Sequence, residues 1–291
     1  MEGATITEFP RESCFCGNNW YMSWIYLSPH LDDAALSCGG LVWEQVKSGQ
    51  GVYFWTICAG DPPPGPISSF AESLHERWQI GLEAAANRRA EDQRACQILG
   101  ARYDHFHIPD CIYRRMESNQ VPLYASEEAI FGPIHSMEAG LIQRLSRDFG
   151  GLLQKLETED EVRIVCPLAI GGHVDHRLTR AAAEALFYPY EGSPEEMRSG
   201  TRFVPGSNMS LLYYADFPYV EKNGGELLQL ELSGWRPLSF PISQDAMTAW
   251  SRAVASYASQ ISTFWPDEAA MRASLAAYSQ KEGGLRLWRH F

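Results

Sequence analysis

Two short segments carry side chains that bind metals and move protons. The first is Ser28-Pro29-His30-Leu31-Asp32-Asp33, and the second is Gly171-Gly172-His173-Val174-Asp175-His176. A catalytic zinc site wants three nitrogen or oxygen ligands and a fourth position left to water, with partners that fix the imidazoles. If His30, Asp33 and His176 are the ligands, Asp32 is a free carboxylate able to take a proton from water. His173 then stands outside the coordination set, as a cation or hydrogen-bond donor to a developing oxyanion. Asp175 is placed to orient and charge-stabilise a histidine. Each segment alone has an ordinary reading, since paired aspartates cap helices and a His-x-Asp-His run fits a surface turn. Their matching positions favour chemistry. Two histidines and an aspartate suit zinc, and equally iron, cobalt or manganese.

Both segments sit where strands give way to helices. Met22 to Ser28 is a β-rich run, and Ala34 to Lys47 has apolar residues at helical spacing before Gly49 and Gly51. Asp33 is placed to cap that helix as well as to ligate, and Cys38-Gly39-Gly40 lets it approach neighbouring backbone closely. Val52 to Cys58 reads as a second buried strand, followed by a Pro/Gly-rich loop over residues 59 to 66. Arg88 to Leu99 suits a helix and Tyr103 to Ile108 a strand, while Asp110 to Met137 has no clean period. Ala139 to Leu156 reads as helix, Val162 to Cys166 as strand and Leu178 to Phe187 as helix, with a break at residues 188 to 194. Strands are expected at Leu211 to Ala215 and near Leu227 to Leu232, and helices at Ala246 to Ser259 and Glu268 to Gln280. Buried strands feeding helices imply an α/β, Rossmann-like, mostly parallel sheet flanked by helices, with its site at the carboxyl ends of the strands.

The pattern Pro29-His30-x-Asp32-Asp33-x-x-Leu36-x-x-Gly39-Gly40, with His173-x-Asp175-His176, resembles the PIG-L/LmbE-like zinc deacetylases. Arg88-x-x-Glu91-x-x-x-Ala95-x-x-x-Leu99-Gly100 and Ile108-Pro109-Asp110 resemble further signatures of that family, so the likeness spans roughly the first two thirds of the chain. The resemblance implies a Rossmann-like fold and hydrolysis of an acetyl or related acyl group from an amino sugar. It implies one Zn(2+) held by His30, Asp33 and His176, Asp32 as general base and His173 as transition-state stabiliser. It also suggests Arg88 and Asp110 as contacts to sugar hydroxyls, although Arg88 and Glu91 are spaced for a surface ion pair. Leu31 departs from the family, where many relatives carry proline, as does Ala34 or Ala35, where many carry a glutamate just after the aspartate pair.

Composition bounds the rest. With 36 acidic and 24 basic residues the formal charge is −12, so attraction to nucleic acid or anionic lipid is not expected. No stretch approaches the roughly 20 apolar residues of a membrane span, and no basic-then-apolar leader opens the sequence. Seven scattered cysteines, including the Cys14/Cys16 pair, read as reduced thiols, which with the missing leader predicts a cytoplasmic enzyme. Residues 1–21 read as a loosely packed extension to a domain of residues 22–291. The expected partner is a small N-acylated amino sugar, and a homo-oligomer is left open. Competing readings are an amidase for a thiol-sugar conjugate or other small amide, a nucleotide-binding protein and a non-catalytic metal module. The turn after the first strand lacks the G-x-G-x-x-G cradle that the nucleotide reading needs.

Overall fold

A computed structural model describes residues 22–78, 84–116, 118–156, 161–188, 203–281 and 283–290. The expected extension over residues 1–21, with Cys14 and Cys16, lies outside the described residues, as does the break after Tyr188.

The apolar run Met22–Ser28 is strand β1, and six of its seven residues are buried, because helices cover both faces of the sheet at its centre. Strands β2 (Gly51–Thr56), β3 (Arg102–His105), β4 (Glu161–Pro167) and β5 (Met209–Tyr214) join it in parallel. The order is β3-β2-β1-β4-β5-β7-β6, with β7 (Leu285–His290) antiparallel to both β5 and β6 (Trp235–Phe240). From β1 the chain runs outward to β2 and β3, then returns to place β4 against the other side of β1. Right-handed crossovers running in opposite directions put helix α1 (Asp33–Lys47), after β1, and helix α6 (Val174–Phe187), after β4, on opposite faces. Between the carboxyl ends of β1 and β4 the strand order reverses, which is where open α/β sheets bind ligands.

Helix α2 covers Ser69–Trp78, α3 Ala84–Leu99, α4 Glu127–Ile130 and α5 Ala139–Lys155, and α5 packs on α6. Of the expected elements, the strand ending at Cys58 stops at Thr56 and the strand over 103–108 shortens to β3. Beyond β3 the chain stays extended, pinned by bridges from Cys58 to His107 and from Gly60 to Pro109. The strand expected near Leu227 to Leu232 is instead a helix. After α7 (Tyr219–Lys222), α8 spans Gly224–Leu232, because its Leu, Glu and Gln residues favour helix and none is β-branched. The single helix expected over 246–259 is broken into α9 (Gln244–Ala255) and α10 (Ala258–Phe264), followed by α11 (Glu268–Lys281).

Helix α1 carries the first chemical segment, and α9 holds it in place. Trp250 of α9 is fully buried and donates from Nε1 to the Ala35 carbonyl at 2.8 Å. Its ring lies against Gly39, where an added Cβ would stand 2.4 Å from Trp250 Cδ1. The close approach expected of this glycine is thus to an indole ring and not to backbone. Gly39→Ala should destabilise the fold by about 1–3 kcal/mol through overpacking, read as a lower urea midpoint at unchanged slope.

Candidate metal centre

At the end of β1 the chain turns so sharply that the Asp33 carboxylate reaches back to its own turn. Asp33 Oδ2 accepts from the His30 amide at 2.8 Å and lies 3.1 Å from His30 Nδ1. The expected cap is different in detail: Asp32 occupies the N-cap position of α1 and makes no capping hydrogen bond, while Ser28 Oγ accepts from the Ala34 amide. Asp32 is therefore a buried carboxylate without a backbone duty. The second segment is placed by the loop after β4, where Gly171 and Gly172 take positive φ of 84° and 78°, a conformation open to glycine. Helix α6 starts at Val174, four residues before the expected start, so His176 projects from its first turn.

These two segments meet. His176 Nε2 lies 3.3 Å from Asp33 Oδ2, the oxygen that also faces His30. Ring nitrogens of His30, His173 and His176 lie within 4.8 Å of one another, as do donor atoms of His30, Asp110 and Asp175. Asp175 Oδ2 approaches His30 Nε2 at 3.0 Å, so the histidine that Asp175 orients is His30. His173 caps α6 with Nδ1, which accepts from the Asp175 amide at 3.2 Å, and Phe131 lies edge-on to its ring.

Burial and neighbouring charge set the protonation pattern. Burial works against a charged His176, but Asp33 and Asp216 outweigh it and hold its pKa up at about 10. His30 is likewise raised, by Asp175 and Asp33 against burial. The carboxylates of Asp33 and Asp175 are buried yet held low, Asp33 by His176 and His30, Asp175 by Arg114 and His30. Burial lowers His173 to about 3, with His30 adding to the effect, so its imidazole is neutral. Burial pushes Asp32 up to about 6, opposed by Arg88 and reinforced by Asp33.

Two lone-pair donors converging on one carboxylate oxygen demand a cation between them. His176 Nδ1 is committed to Asp216 at 2.6 Å, and its buried Nε2 has no hydrogen-bond partner among the described residues. A proton meets that demand in the protein alone, and a divalent ion meets it with the same donors. The residues thus fit a metal.

Arg88 and Asp110 both border this group. Arg88 pairs with Asp32 at 3.4 Å, and Glu91 instead accepts from the Ser259 amide and hydroxyl, so the helix-surface pair Arg88–Glu91 does not form. Asp110 accepts from the Ile112 amide and stands 3.7 Å from His30 Nε2. Of the other histidines, His75 bonds the Tyr113 hydroxyl and His105 bonds Asp92.

Two supports escaped the sequence reading. Asp216 follows β5, bonds His176 and accepts from the Ile170 amide at 2.8 Å, which ties it to the loop before His173. Arg114 joins Asp175 at 2.5 Å and Glu138 at 2.6 Å, and Tyr124 donates to Glu138 at 2.6 Å. Asp216 was visible as an acid at the end of a parallel strand, whereas nothing local marks Arg114 or Glu138.

The family described as PIG-L: GlcNAc-PI de-N-acetylase matches residues 25–187, the stretch from β1 through α6. The chain belongs to this family. It is accordingly a hydrolase of N-acyl amide bonds. The 2'-N-acetylparomamine deacetylase of Niallia circulans is 28% identical over 260 residues, covering 85% of this chain and 84% of that one. The zinc-inhibited form of teicoplanin deacetylase is 23% identical, covers 91% of this chain and 96% of that one with a TM-score of 0.71, and shares the fold. A solved antimicrobial pseudoaglycone deacetylase is 25% identical over 91% of this chain and 94% of that one, with a TM-score of 0.62.

Arg114 is 7% exposed in its side chain and sits between two buried carboxylates. Arg114→Met should cost about 3–5 kcal/mol of stability by leaving Asp175 and Glu138 without their cation. Equilibrium denaturation of the purified variant at neutral pH measures it.

Proposed function

We propose that this chain removes the acetyl group from the amine of an amino sugar, using one divalent ion, zinc, held by His30, Asp33 and His176. The carrying observation is the convergence of His30 and His176 on a single Asp33 oxygen, 3.1 and 3.3 Å away, beside an uncapped Asp32. Zinc bound there supplies Lewis acidity, polarising an acyl carbonyl and acidifying water.

The remaining steps belong to the protein. Asp32, at about 6, is ionised at neutral pH yet basic enough to take the proton of the attacking water. His173 accepts at Nδ1 from the Asp175 amide, so its proton sits on Nε2 and is available to the oxygen where negative charge develops. Asp175 and Asp216 hold the rings of His30 and His176, in the manner of carboxylates that orient metal-binding imidazoles. Arg88 steadies Asp32 and, with Asp110, flanks the group where sugar hydroxyls would bind. The deacetylases of N-acetylparomamine and of a pseudoaglycone among its relatives support an amino-sugar substrate.

Amine release from N-acetylglucosamine derivatives, with and without chelator, tests the reading, and chelator-insensitive release would contradict it. Asp32→Asn should keep its metal and lose nearly all turnover, whereas His176→Ala should lose metal as well, both measured by metal analysis beside a rate assay. The base form of Asp32 is lost as pH falls through its pKa, and a bound cation adds to Arg88 in pulling that pKa down. The acid limb of kcat/KM should therefore fall at or below about pH 6 and vanish in Asp32→Asn.

A further inference from the structure

Tyr219 is a polar side chain of the cleft with no part in the steps above. It opens α7, shortly after the Asp216 that stands behind His176, and the chain around it is firmly held. Asp216 accepts from the Ile170 amide, the Phe217 amide donates to Ser37 Oγ at 3.1 Å, and the buried Phe217 ring lies 4.5 Å from that of Tyr278. Phe217 and Val220 are both packed into the core, and the half-buried Tyr219 between them is left to the site.

Ring contacts fix where it stands. A chain of rings runs from Phe131 through His173 and His176 to Tyr219, with centroids 5.5, 5.4 and 5.7 Å apart. Tyr219 also lies over Gly171, where an added Cβ would stand 3.3 Å from its own Cβ, and edge-on to Phe264. The two ends of the chain differ in chemistry. Phe131, 37% exposed, offers an apolar ring beside His173. At the other end, the charged groups whose fields reach the Tyr219 phenol are Asp33, Asp32, Asp216 and Arg88. Its hydroxyl has no hydrogen-bond partner among the described residues, and neither has the buried Nε of Arg88. Two donors without acceptors therefore border Asp32, and a buried donor is costly until an acceptor reaches it.

An N-acetylated amino sugar has a methyl group for the apolar end and hydroxyls for the polar one. We propose that Tyr219 is a specificity-determining residue whose phenol donates, beside Arg88, to the ring hydroxyl next to the acylated nitrogen, the 3-hydroxyl of an N-acetylglucosaminide. The inference rests on the amino-sugar deacetylase reading above and narrows it to substrates in which a free hydroxyl neighbours the amide. Holding the sugar at this end turns the acyl group toward His173 and Phe131.

The test compares methyl N-acetyl-β-glucosaminide with its 3-deoxy analogue, in zinc-loaded wild type and Tyr219→Phe, by amine release and metal content. Phenylalanine keeps the ring against His176, Gly171 and Phe264 and removes the hydroxyl alone, so metal content and urea midpoint should not change. Wild type should prefer the 3-hydroxy sugar by at least about tenfold in kcat/KM, the order of one hydrogen bond. Tyr219→Phe should shrink that preference about tenfold, by losing rate on the 3-hydroxy sugar and not on the deoxy sugar. A variant equal to wild type on both sugars overturns the proposal, and so does an equal loss on both, which marks a structural role. Absence of any preference in wild type overturns it whatever the variant does. Wild type that cleaves neither sugar also overturns it, and chelator-sensitive amine release from another N-acetylated amino sugar then shows that the function beneath it survives.

Discussion

One carboxylate oxygen organises the site. Asp33 Oδ2 accepts from the His30 amide and faces nitrogens of both His30 and His176, so it closes the turn after β1 and joins that turn to α6 across the sheet. Burying such a charge is unfavourable unless cations surround it, and the rest of the site supplies them. The β1–β4 adjacency brings these cations within reach, because only at the reversal of strand order do two loops leave the sheet side by side.

Around this centre, charge alternates outward. Asp216 stands behind His176 and Asp175 behind His30, while Arg114 stands behind Asp175 and Glu138 behind Arg114, itself bonded by Tyr124. Each layer neutralises the one inside it, which lets a cluster of ionised side chains persist in a buried setting. Asp32 is held more loosely. Its partner Arg88 is more distant, at 3.4 Å, and its pKa rises while those of Asp33 and Asp175 fall.

The residues of the inner site were legible because histidine and aspartate rarely stand together at strand ends without a reason, and the central strands announced themselves as continuous apolar runs. The outer layer was not. Arg114 and Glu138 lie in a stretch without periodicity, and their partnership is made by tertiary folding alone. Strand β6 was hidden by Pro237, which a sheet tolerates at its edge, and β7 by Arg286, Arg289 and His290, which interrupt any continuous apolar run. The leucines of α8 fit either period over so few residues, and the absence of a buried residue on that helix means no packing pattern was there to read.

Val174, between His173 and Asp175, does not join the main sheet core. It packs with Ala71, Leu74, Cys111, Ile112, Tyr113, Tyr124 and Ile130 in a separate apolar cluster built from α2, α4 and the loops that precede α5. The roof of the site therefore has its own small reservoir of hydrophobic free energy, distinct from that of the sheet. Loss of an apolar contact in this cluster therefore falls on the surroundings of His173 and Asp175 and leaves the packing of the sheet beneath them untouched.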